Sequence, residues 1–71
     1  MKVYEKVRVF IEERGYKQSW IAEKVGMPID KFTDIMEGRK TLYADDLREI
    51  CLALNVSPEV FIEVDKSTTK G

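Results

Sequence analysis

Gly26-Met27-Pro28 divides two short amphipathic stretches, and no other feature limits the folding choices of this chain so sharply. Glycine adopts the left-handed backbone that ends a helix, and proline presets φ for a first helical turn. Before the break, Ile21, Ala22 and Val25 mark the inner face of a helix starting near Gln18. After it, Phe32, Ile35 and Met36 mark the inner face of a second helix, which Gly38 stops. Two helices joined by a turn of three or four residues containing a glycine describe a helix-turn-helix. The rest of the sequence reads as support for the run QSWIAEKVGMPIDKFTDIMEG.

The chain has 71 residues, the size of one small domain. Such a domain buries only about 60% of the surface its unfolded chain exposes, so its core is thin. One cysteine and no histidine leave no internal disulfide and argue against a metal site. No nucleophile–base pair or phosphate loop is visible, so neither an enzyme nor a cofactor is expected. Apolar runs such as Val9-Phe10-Ile11 and Val60-Phe61-Ile62 fall far short of a membrane span. A soluble cytoplasmic protein is the expectation.

Net charge is −1, unevenly spread. Lys2, Lys6, Arg8, Arg14 and Lys17 outweigh Glu5, Glu12 and Glu13 near the start, whereas acids dominate from Asp45 onward. A mildly acidic total is not the footprint of a strong nonspecific nucleic-acid binder, although a local patch matters more than the total.

In chain order, Val3, Val7, Phe10 and Ile11 predict a first helix over about residues 2–14, with Glu5, Arg8, Glu12 and Glu13 mostly on its other face. Gly15 is its natural left-handed stop, and Tyr16 takes the apolar contact that follows such a stop. The second helix covers about 18–25. Lys17 offers its amides no acceptor, whereas Ser19 would cap a shorter helix. The third covers about 28–37, with Asp30 near the positive end of its dipole. Leu47, Ile50, Cys51 and Leu54 give a fourth, over about 43–54, with Asp45, Asp46 and Glu49 in its early turns and Asn55 at its end. Ser57-Pro58-Glu59 starts a fifth, over about 58–64. The expected domain spans 1–64, followed by a frayed polar tail at 65–71. Cys51 reads as a small core residue, and Trp20 as packing along the domain.

With these residues in view, the chain resembles the lambda-repressor and Cro class of bacterial and phage DNA-binding domains, the xenobiotic-response-element type. That class wants a small residue at the fifth place of its helix-turn-helix and glycine at the ninth. It wants apolar residues at the fourth, eighth, tenth, fifteenth and eighteenth. Counted from Gln18, this sequence supplies Ala22 and Gly26, then Ile21, Val25, Met27, Phe32 and Ile35. IMEGRKTL, followed by LREICLALNVSPEVF, is similar to the loop and last two helices of the class. The resemblance covers roughly Val3 to Ile62 and implies an all-α, five-helix lambda-repressor-like fold.

It also implies a site. The second helix of the motif enters the major groove by its N-terminal residues while the first crosses the backbone. Gln18 matches a glutamine that, with its helix N-terminus, holds a phosphate, and Lys17 and Ser19 flank it. Pro28, Ile29, Asp30, Lys31, Thr33 and Asp34 match the base-reading surface. Arg39, Lys40 and Thr41 match the loop that grips the backbone, and Tyr43 replaces the usual Ser or Thr beyond it. Base edges are mostly read by Arg, Lys, Gln or Asn. Here Ile29, Asp30 and Asp34 fill much of that surface, and Glu37 stands where many relatives have Asn.

The implied function is a sequence-specific transcription regulator, a repressor binding a palindromic operator in double-stranded DNA as a homodimer. Val60, Phe61 and Val64 are the expected dimer residues, because an exposed apolar cluster needs a partner. A bacterial or phage-derived, nucleoid-associated protein fits this. The acidic residues motivate an alternative: an antitoxin-like or accessory protein-interaction module that keeps the fold and binds DNA weakly or not at all.

Overall fold

A computed structural model describes residues 1–62. Four α-helices follow in order: α1 (Val3–Arg14), α2 (Gln18–Val25), α3 (Ile29–Met36) and α4 (Ala44–Leu54). A single 3-10 turn, Pro58–Val60, comes after them. Among the described residues there is no strand. Each apolar stripe is turned inward. Val7 and Ile11 come from α1, Ile21 and Ala22 from α2, Phe32, Ile35 and Met36 from α3, and Leu47, Ile50, Cys51 and Leu54 from α4. Helix α2 packs against α3 and α4, α1 packs against α3, and α4 packs against the 3-10 turn. The small Ala22 side chain is buried in this packing, where a larger one would hold the helices apart.

The helix ends are set by local chemistry. Glu5 accepts from the Lys2 N–H (2.7 Å) at the start of α1, and Asp46 accepts from the Tyr43 N–H (3.3 Å) at the start of α4. All four helices close with the same device. One residue of positive φ (Gly15, Gly26, Gly38 or Asn55) turns the chain, and the amide of the residue after it bonds back into the last turn.

Some expectations need correction. Lys17, not Ser19, occupies the cap position of α2, and Ser19 lies inside the helix. Pro28 is the cap of α3 rather than its first residue, with ψ at 141°, extended rather than helical. The expected fifth helix is a three-residue turn, started by the Ser57 hydroxyl accepting from the Glu59 N–H (3.3 Å). Residues 63–64 of that stretch, Val64 among them, lie outside the described residues. Phe61 is not part of an exposed cluster. It is 2% exposed and meets Phe10 of α1 edge to face, ring centroids 5.3 Å apart. The turn folds it back against α1, so its apolar surface is used within the chain. Val60 is 54% exposed.

Cys51 is buried in α4, and burial pushes its thiol above the ordinary value, as befits a small core residue. Phe61→Ala should lower stability by about 3 kcal/mol, the scale of an aromatic truncation in a core, whereas the exposed Val60→Ala should change it by about 0.5 kcal/mol or less. Urea denaturation of the two variants measures the difference.

Candidate nucleic-acid interface

Helix α2 begins differently from its neighbours. Its cap, Lys17, has extended backbone and no side-chain acceptor to offer, and its first turn holds no acid. Helices α1, α3 and α4 each place Glu5, Asp30 or Asp45 and Asp46 at that end. The first amides of α2, those of Gln18 and Ser19, therefore have no capping acceptor and no acid to offset the dipole, beside exposed Lys17 and Ser19 and half-buried Gln18.

Helix α3 projects its N-terminal residues. Pro28, Ile29, Asp30 and Lys31 are exposed, and Thr33 and Asp34 are half-buried. On its other side Phe32, Ile35 and Met36 are sealed from solvent. The same eight residues thus anchor the helix and display it.

The far end of α3 is held from α1. The Arg8 guanidinium donates to the Met36 carbonyl (3.0 Å) across a separation of 28 residues. This satisfies an orphan acceptor and sets a cation at the negative end of the dipole. Tyr4 lies one turn earlier on α1, against Gly38. A Cβ built on Gly38 would sit 2.5 Å from the Tyr4 hydroxyl oxygen. With φ at +82°, that residue is glycine for two reasons, backbone and space.

Beyond Gly38 the chain turns back. The Asp34 carbonyl accepts from the N–H of Arg39 (2.8 Å) and of Lys40 (3.2 Å). The Asp34 carboxylate accepts from Arg39 Nε (3.0 Å). Lys40, Thr41 and Tyr43 are exposed, Tyr43 at 66%. Periodicity alone puts Arg8 on the outer face of α1 and assigns no role to Tyr4 and no partner to Asp34. The first two stand at i and i+4, one position on from Val3 and Val7, and that offset was the available signal.

One exposed feature lies at the start of α2. Tyr16 and Trp20 stack in parallel, centroids 5.3 Å apart, with Lys24 Nζ 5.3 Å from the indole centre. Trp20 packs on Tyr16 and remains 42% exposed.

The chain matches a known family. The model of the Cro/C1-type helix-turn-helix DNA-binding domain matches residues 6–67, and the chain belongs to that family. It is therefore a helix-turn-helix domain of a DNA-binding class. No curated protein and no solved structure gives a significant match. Among the described residues no helix is long and apolar enough to cross a membrane.

Gly26 and Gly38 test the contact with Tyr4. Both have positive φ, but a Cβ at Gly26 meets nothing within 4 Å. Each should lose about 1 kcal/mol on substitution by alanine from backbone strain, with Gly38→Ala losing at least about 1 kcal/mol more from crowding. Equal losses in urea melts would show that Tyr4 yields freely.

Proposed function

We propose that this chain is a sequence-specific transcription regulator, a repressor that binds a palindromic operator as a homodimer. One observation carries the reading: α3 is an eight-residue helix whose apolar side is fully buried while residues 28–31 stand clear of the domain. In this docking geometry the N-terminal residues of such a helix reach base edges in the major groove. Lys31 and Thr33 are the polar groups that suit that role, and Ile29, 44% exposed, suits a thymine methyl. Asp30 serves the dipole of its own helix. Lys17, Gln18, Ser19 and the bare amides of α2 take a phosphate. Arg39, Lys40, Thr41 and the Tyr43 hydroxyl reach the backbone past the recognition helix.

Pairing supports specificity, since a domain this small reads few bases and a two-fold dimer sets two recognition helices one DNA turn apart. With Phe61 in the core, the dimer surface shifts to exposed Val60 and Ile62. Val60 lines a groove of about 220 Å³ with Met1, Val9 and Phe10.

Titration of duplex DNA at several salt concentrations separates this reading from a protein-interaction module. A DNA binder loses affinity steeply as salt rises, through counterion release. Lys31→Ala and Arg39→Ala should each weaken binding about threefold to tenfold while leaving the melting curve unchanged. Affinity that ignores salt would instead favour the interaction module. Light scattering on palindromic DNA should give two chains per duplex; one chain per duplex at high concentration would end the dimer reading.

A further inference from the structure

The acidic residue on the recognition helix has a partner that changes its meaning. Asp34 lies one turn beyond Asp30, on the side of α3 that the DNA-binding reading turns toward the duplex. A bare carboxylate there would repel phosphate. In the structure it is not bare: its Oδ1 accepts from Arg39 Nε at 3.0 Å. The contact is unlike an ordinary helical ion pair. Arg39 lies five residues on, past the left-handed turn at Gly38, and its backbone is also tied to Asp34. The N–H groups of Arg39 and Lys40 both donate to the Asp34 carbonyl, at 2.8 and 3.2 Å. Backbone and side chain of Arg39 therefore return to the same residue.

A guanidinium carries five N–H donors in a planar fork. Asp34 takes the one on Nε. The Nη donors make no other bond among the described residues, and Arg39 remains 60% exposed while Asp34 is 30% exposed. A surface pair of this kind adds little stability. What it fixes is direction. One edge of the fork is held against α3, and the Nη groups are left without a partner among the described residues, on a side chain that stays largely exposed.

We propose that Asp34 is a positioning residue: it holds the Arg39 guanidinium so that its free N–H edge takes a pair of acceptor oxygens or nitrogens on DNA. Two groups on a duplex offer that chemistry, the oxygens of a phosphate and the O6/N7 edge of guanine. The inference rests on the DNA-binding reading, and its test separates the two.

The sign of one substitution decides it. By charge alone, removing a carboxylate beside a polyanion tightens binding. By positioning, Asp34→Ala loosens it, because Arg39 is left free to wander. The probe is a duplex selected from random DNA by the wild-type chain. Asp34→Ala is expected to bind it about tenfold more weakly, the scale of a lost bidentate contact. Asp34→Asn, which keeps an acceptor oxygen, is expected to retain most of the affinity. Adding Asp34→Ala to Arg39→Ala should cost nothing further, since the carboxylate then has nothing to position. Arg39→Lys should fail to restore binding, because an ammonium offers no planar fork.

The source of the acceptors follows from two readouts. If phosphate is held, Arg39→Ala lowers the salt slope by about one whatever the base sequence. If guanine is read, one G·C to A·T replacement in the duplex abolishes the difference between wild type and Arg39→Ala. Either result shows the Arg39 contact that positioning requires, and an Arg39→Ala chain binding as tightly as wild type would overturn the positioning role. Asp34→Ala and Asp34→Asn both binding as tightly as wild type, or tighter, would overturn it and leave the DNA reading intact. Wild-type chain with no salt-dependent affinity for any duplex would remove that reading, and this inference with it.

Discussion

An eight-residue helix cannot hold itself together in water, because nucleation fixes three residues before the first hydrogen bond repays it. Helix α3 exists because Phe32, Ile35 and Met36 are all withdrawn from solvent, each such burial contributing about 1.5–3 kcal/mol. The other helices serve that burial directly or from behind. Helix α2 supplies Ile21 and Ala22 beneath it, and α4 closes the core behind α2. Helix α1 does a second task. Its apolar side covers α3, and Arg8 and Tyr4 hold the last turn of α3 by its Met36 carbonyl and by Gly38. Helix α3 is thus fixed along its side and at its C-terminal end, while its N-terminal end stands free. A short element held this way presents its exposed residues at a defined angle, which a longer self-supporting helix would not need.

The parts of this fold legible in the sequence are those governed by neighbours along the chain. Glycine or asparagine after an apolar stripe marked each helix end, because the left-handed turn is a property of one residue and its two flanks. The stripes marked the core for the same reason. The fifth element was misjudged because Ser57-Pro58-Glu59 specifies only how a helix starts. How far it runs depends on where Phe61 finds its packing partner, and Phe10 lies on another helix. The same fact removed Phe61 from the expected dimer surface: an apolar cluster in sequence does not say whether its own chain covers it. Arg8 was placed on a solvated face by periodicity, yet its acceptor is 28 residues away. Asp34 and Arg39 escaped the helical pairing rules because a glycine turn separates them and their spacing is neither three nor four. The exposed positions 28–31 were legible at the level of placement. Their electrostatic setting was not, because ion pairing across a turn is decided by the fold.

That setting bears on how an acidic chain can recognise a polyanion. Nonspecific affinity for DNA comes almost wholly from cations that displace counterions along the backbone. A chain of net charge −1, with the arginine of its basic loop paired to a carboxylate, brings only a local set of cations to that term. Contacts to a particular site depend far less on total charge, since they require donors held at fixed positions rather than cations in quantity. What matters among competing sites is the ratio of specific to nonspecific affinity, not either value alone. Neutralising surface cations lowers the denominator. Holding the remaining donors in place preserves the numerator. Acidic residues on a recognition surface are therefore compatible with selective binding when, as proposed for Asp34, they orient a cation instead of opposing the phosphate.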